Sequence, residues 1–363
     1  MTFRRVALVF LVLAAFAPRA SADALRVVAT TPDLADLARQ VGGDAVSVTS
    51  LVKGPQDVHF IEPRPSLVKD LHRAELLIEM GMDVESGWLP GLVQSARNPA
   101  IQPGAAGFLD ASSAIVPRDV PRSRIDRSMG DVHPYGNPHY LPDPLNGLRV
   151  AGAIRDKLAA LRPADAGTFG ARYDAFAAAL VERLVGPELA GRRTPAEIAA
   201  AVEAGRLAAL ASESAAPVGG WLGAVGTGPR RKAVEDHRAW IYFAERFGLE
   251  LVAALEPLPG IAPTTRHLQE VVERMRADGV ELVLATPYFS LRHAEFVAKQ
   301  TGARIVELAH QVGSRPGTDD YLATVDYNVR ALASGEDGLP SAERAASGTR
   351  AKFIRTAIAA ETR

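Results

Sequence analysis

The chain has 363 residues, 47% of them hydrophobic and 23% charged, with 31 glycines, 25 prolines, no cysteine and a formal net charge of -1. These proportions are those of an ordinary globular protein and exclude a disordered, collagenous or disulfide-stapled chain. The lack of cysteine removes thiolate zinc sites, thiol nucleophiles and iron–sulfur clusters, and the near-zero charge gives nucleic acid no electrostatic reason to bind.

Residues 1–22 read as an export signal. They combine a basic start at Arg4 and Arg5, an apolar run Val6–Phe16, and Ala20-Ser21-Ala22 before the expected cleavage point. That run is shorter than the roughly 20 residues a membrane span needs. No cysteine follows it, so a lipid anchor on an N-terminal cysteine is not expected. Losing the segment removes Arg4, Arg5 and Arg19 and no acid, which moves the net charge from -1 to -4. The expected location is the periplasm, as a free protein.

The mature part alternates strand and helix. Leu25–Ala29 reads as a strand, Thr30-Thr31-Pro32 as a helix start, residues 34–41 as an amphipathic helix closed by Gly42-Gly43, and Val46–Val52 as a second strand. Helix Pro65–Arg73, strand Ala74–Met80 and helix Gly87–Ala96 follow. Long helical texture runs from Asp143 to Leu189, broken once at Leu161-Arg-Pro-Ala-Asp-Ala, and residues 190–215 are Ala-rich and helical in character. Alternation resumes with strands at Lys232–Val234, Leu249–Leu255, Glu281–Ala285 and Arg304–Leu308. They are separated by helices at Trp240–Phe247, Arg266–Ala277 and Leu291–Gln300 and followed by Tyr321–Ala333. The reading is an α/β protein of two similar βα lobes with mainly parallel sheets, joined by a long rigid helix, with a cleft between them. Its expected division is a signal at 1–22, an N-terminal lobe at 23–160, a linker helix at 161–189, a C-terminal lobe at 190–338 and a tail at 339–363.

Eight histidines carry the candidate chemistry. His59, in Gly54-Pro-Gln-Asp-Val-His-Phe-Ile-Glu-Pro, follows a strand. His139, in Gly136-Asn-Pro-His-Tyr, lies in a loop before a helix, and His237 lies between a strand and a helix. Ligands of α/β sheets sit beyond the carboxyl ends of strands, and neutral imidazole is a common zinc ligand, so three loop histidines could close a tetrahedral site with one further ligand. A lone loop histidine is more often a surface or hydrogen-bonding residue than a ligand. His72, His267 and His293 stand beside arginines on helices and read as solvated residues. His133 reads first as a turn residue, with a second loop ligand or a ligand on the way in as alternatives.

The sequence resembles the TroA-like (ZnuA-like) family, the periplasmic solute-binding proteins of zinc and manganese ABC transporters. The likeness rests on Ala29-Thr-Thr-Pro-Asp-Leu-Ala-Asp-Leu-Ala and on Asp57-Val-His-Phe-Ile-Glu-Pro, similar to the family's Asp-x-His-x-x-Glu-Pro. It rests equally on Asn137-Pro-His-Tyr-Leu-Pro-Asp-Pro and His237-Arg-Ala-Trp-Ile-Tyr-Phe-Ala-Glu-Arg-Phe-Gly. Glu256-Pro-Leu-Pro-Gly-Ile-Ala-Pro and Thr301-Gly-Ala-Arg-Ile-Val fit in order. The resemblance implies that His59, His139 and His237 are metal ligands. The family's usual fourth ligand, an aspartate after a late strand, is missing from Val306-Glu-Leu-Ala-His-Gln-Val-Gly. His310 stands nearest that place, with Glu307, Asp319, Asp320 or a water as alternatives. The His/Asp-rich loop of some zinc-specific members is absent too, unless the Asp131/His133 region substitutes for it.

Three imidazoles favour Zn²⁺ over Mn²⁺, which prefers carboxylate oxygen. The resemblance then implies a monomeric, non-enzymatic binding protein that passes Zn²⁺ to a membrane permease driven by its ATPase. The competing readings are an exported zinc hydrolase, with Glu62 or Asp57 as its base, and a zinc buffer or adhesin with no transport role. No His-Glu-x-x-His motif supports the hydrolase.

Overall fold

A computed structural model describes residues 23–122, 130, 132–226 and 228–334 of the chain. The expected signal segment, Asp131 and the C-terminal tail lie outside the described residues. Strand β1 (Leu25–Ala29) passes into helix α1 (Pro32–Gly42) through Thr31, whose hydroxyl accepts from the Leu34 amide. Pro32 sits at the helix start, and Gly43 ends it at φ 52°, a backbone that glycine adopts without strain. β2 (Val46–Ser50), β3 (Leu76–Glu79) and β4 (Phe108–Asp110) complete a parallel sheet of order β2-β1-β3-β4.

The second sheet repeats that plan. β5 (Arg231–Glu235), β6 (Leu249–Ala254), β7 (Leu282–Ala285) and β8 (Arg304–Glu307) are parallel in the order β6-β5-β7-β8. All four residues of β7, Leu-Val-Leu-Ala, are buried, as a strand covered on both faces requires. Ala233 pairs with Leu251 but Val234 with Ala253, so Val252 is an extra residue that bends the sheet just before the His237 loop. The two-lobe, mainly parallel α/β reading therefore holds.

Helices α2 (Pro65–Arg73) and α3 (Leu89–Ala96) belong to the first half. Then α4 (Pro144–Leu161) stops at Pro163, whose ring cannot continue a helix, and α5 (Ala166–Val185) restarts. The 190–215 stretch holds α7 (Pro195–Glu203), opened by a Thr194/Glu197 capping box, and α8 (Leu207–Glu213), after the short α6 (Pro187–Ala190). α9 (Gly220–Val225), α10 (Ile241–Arg246), α11 (Thr265–Asp278), α12 (Arg292–Thr301) and α13 (Tyr321–Ser334) follow. α5 packs on α4, on α1 and on α9, and α9 packs on α13, so helices bind the two halves together.

One hydrophobic core runs across both halves. It joins Val27 and Leu77 of the first sheet, Ile154 and Leu180 of the middle helices, and Trp240, Leu284 and Tyr321 of the second half. A smaller core around Val234, Val271, Met275 and Val283 covers the other face of the second sheet. A seam of continuous apolar packing resists wide hinge opening. Polar contacts lock the same seam: Arg246 grips Asp143 through two bonds of 2.8 Å, and Gln311 Nε2 donates to the carbonyls of Lys53, Gly54 and Gln56.

Candidate metal centre

The carboxyl ends of both sheets feed the seam, and three loops deliver histidines into it. The loop after β2 carries His59 and is anchored where Trp88 Nε1 donates to the Val58 carbonyl at 2.8 Å. The loop before α4 carries His139. Its Asn137 accepts from the His139 amide and donates to the Arg238 carbonyl at 2.6 Å, while Tyr140 donates to the Met80 carbonyl. His237 follows β5 directly. Asp236 beside it accepts from the His237 and Thr286 amides and the Thr286 hydroxyl, bracing the loops after β5 and β7.

The ligand atoms of His59, His139 and His237 all lie within 4.8 Å of one another. His59 and His237 are only 8% and 3% exposed, and His139 is half-buried. Nε2 of His139 stands 3.3 Å from Nε2 of His237. Two of the rings are oriented from behind by carboxylates. His59 Nδ1 is 2.6 Å from Asp57 Oδ1, and His237 Nδ1 is 2.8 Å from Glu256 Oε2. A carboxylate on Nδ1 holds the proton there, which fixes the tautomer and presents Nε2 as a lone pair.

Burial and neighbouring charge keep two of the clustered imidazoles, His139 and His133, neutral. Burial, followed by the charges of His59 and His237, holds His139 well below its ordinary value. Burial and the same two neighbours lower His133 to about 3. Burial pushes the Asp57 carboxyl up, but the hydrogen bond and charge of His59 outweigh it and hold that carboxyl low. Nitrogens that stay unprotonated at neutral pH are free to coordinate. A cavity of about 310 Å³ adjoins the cluster, lined by Asp57, Phe60, Glu256 and Phe289 among others.

The remaining sequence candidates fall elsewhere. His310 Nε2 lies 3.2 Å from the Gln56 carbonyl and its ring meets Tyr288 edge-on, while its buried Nδ1 has no partner. Glu307 pairs with Arg315. Asp320 caps the start of α13 through the Ala323 amide. His72 and His267 bond to the carbonyls of Ala96 and Ala254. Sequence reasoning had not assigned Asp57 and Glu256 as orienting partners. The Asp-x-His spacing signals the first; the second lies 19 residues from its histidine, in the Glu256-Pro-Leu-Pro-Gly stretch that the resemblance matches without giving it a role.

Comparison with known proteins completes the picture. The family model for the periplasmic zinc-uptake complex component A, ZnuA, matches residues 27–183 and 206–335. The iron-binding protein YfeA of Yersinia pestis is 24% identical over 332 residues, covering 88% of each chain. The manganese ABC transporter substrate-binding lipoprotein PsaA of Streptococcus pneumoniae is 37% identical over 82 residues, 22% of this chain and 26% of that protein. A crystal structure of ZnuA superposes with a TM-score of 0.60 at 21% identity, covering 86% of this chain and 99% of that one.

Proposed function

The chain belongs to the ZnuA family of periplasmic metal-binding, substrate-binding proteins of ABC transporters, and from that premise we propose that it captures Zn²⁺ between its lobes. His59, His139 and His237 are the ligands. The protein is a monomer exported to the periplasm that delivers the ion to the permease of an importer, whose ATPase supplies the energy. The family transports metal and is not one of enzymes, which leaves Glu62 no role as a general base. Among the described residues no helix is long and apolar enough to cross a membrane.

The observation that carries this reading is the convergence of three imidazoles from three loops within 4.8 Å. Relatives differ in cargo, since YfeA is named for iron and PsaA for manganese. The choice of zinc rests on donor chemistry. Nitrogen-rich sites rank Zn²⁺ well above Mn²⁺ and Fe²⁺, whereas oxygen-rich sites suit Mn²⁺. Metal-stripped protein titrated separately with Zn²⁺, Mn²⁺ and Fe²⁺ should bind one Zn²⁺ tightly and the others far more weakly. Equal or tighter binding of Mn²⁺ or Fe²⁺ refutes the cargo. Stoichiometric, tight zinc retained by His237→Ala refutes the site.

A further inference from the structure

We propose that His133 is the fourth metal ligand, so that the ion is held by four imidazoles and no carboxylate. This inference rests on the three-histidine reading above and deepens it. His133 Nε2 lies 3.2 Å from His59 Nε2, and their rings stack with centroids 5.3 Å apart. With Zn–N bonds of about 2.0–2.1 Å, two nitrogens on one tetrahedral ion stand about 3.3–3.4 Å apart. The His59–His133 pair and the His139–His237 pair, at 3.2 and 3.3 Å, thus match two opposite edges of such a tetrahedron.

The loop that carries His133 keeps it beside His59. The Gly136 amide donates back to the His133 carbonyl, Gly136 has φ 112°, and the Asn137 amide donates to the Arg118 carbonyl. Asn137 is also the residue that ties the His139 loop to Arg238. The His133 ring centroid is 6.5 Å from that of His139, against 5.1–5.5 Å among the other three rings, and His133 lies outside the group whose ligand atoms are all within 4.8 Å of one another, so four-imidazole coordination requires His133 to move inward when the ion binds. His310, the candidate at the family's usual position, spends its Nε2 on the Gln56 carbonyl. A fourth neutral nitrogen in place of a carboxylate makes the site softer and raises its preference for Zn²⁺ over Mn²⁺.

The test uses the full mature chain, loaded with Zn²⁺ alone. X-ray absorption should count four imidazoles in the wild type and three in His133→Ala, whose zinc affinity should fall about 100-fold, beyond most losses of an orienting partner. His133→Asp should bind one ion but narrow the Zn²⁺/Mn²⁺ affinity ratio at least about tenfold, because a carboxylate oxygen suits Mn²⁺. A residue that only shaped the loop would leave that ratio alone. Three imidazoles in the wild type, wild-type affinity in His133→Ala, or loss of an imidazole in His310→Ala but not in His133→Ala overturns the inference. A wild type that holds no zinc overturns the three-histidine reading itself, and that outcome is visible before any variant is compared.

Discussion

Glu256 Oε2 accepts a hydrogen bond from His237 Nδ1 at 2.8 Å, with both side chains at least nine-tenths buried. The carboxylate also accepts from the Gly260 amide at 3.0 Å, so it is itself held in place. Its negative charge strengthens the imidazole as a donor and keeps Nε2 facing His139. Replacing it with an amide keeps the shape and removes the charge. Glu256→Gln should therefore weaken zinc about 10- to 100-fold while leaving thermal stability of the metal-free protein near wild type. Competition with a chelator of known affinity measures this; an unchanged affinity refutes the orienting role.

Asp33 supplies a pH dependence with a defined sign. It lies in the first turn of α1, buried, and accepts from the Val312 amide across the seam at 2.9 Å. Burial raises its carboxyl from 3.8 to about 7, the Val312 bond opposes this, and the Asp36 charge adds to it. The folded state thus holds the proton more tightly than the unfolded state. Its contribution is full below about pH 3.8 and is lost as pH rises through about 7. Asp33→Asn cannot ionise, so wild type should lose about 2 kcal/mol relative to the variant between pH 5 and pH 8. Urea unfolding of both metal-free proteins at the two pH values gives the difference, and a wild type that gains on the variant would contradict it.

Gly54 is a contact point of bare backbone. A Cβ placed on it would come within 2.2 Å of the Gly313 carbonyl on the opposite side of the seam. No side chain can yield there, so Gly54→Ala must push the lobes apart locally, at a cost of about 2 kcal/mol. Gly87 is the control, since a Cβ there would meet nothing closer than the His59 carbonyl at 3.9 Å. Calorimetry should show a drop of several degrees for Gly54→Ala and little change for Gly87→Ala.

Arg246 and Asp143 join the segments that carry His237 and His139. Their side chains are 13% and 8% exposed, and Asp143 also caps α4 through the Leu145 amide. Arg246→Met leaves a buried carboxylate without its cation and should cost about 3–5 kcal/mol. Adding Asp143→Asn removes that charge while keeping a capping oxygen, so the double variant should recover part of the loss, giving a coupling of about 1–3 kcal/mol. Additive losses in denaturant unfolding would show that the pair does not act together.

Two levels of information separate cleanly in this chain. Local pattern was enough for seven of the eight described strands and for the histidine loops. Apolar runs such as Leu282–Ala285, caps such as Thr31 and breaks such as Pro163 act through neighbours a few residues away. β4 escaped because three residues, Phe108–Asp110, are too few to display a period. The motifs also singled out His59, His139 and His237 by their place after strands. The partners of those residues were decided only by the packing of two sheets with their carboxyl ends facing one seam. That packing sets His133 against His59 across 74 residues and Asp33 against Val312 across 279. Asp33 and Asp36 are charged residues on an amphipathic helix and would be placed in solvent by periodicity; burial against the second half reverses that. Which side chains stand at the ends of strands follows from local pattern, because strand and helix formation depends on near neighbours. Which of them meet is set by packing alone, because distance across a seam depends on how whole lobes come together.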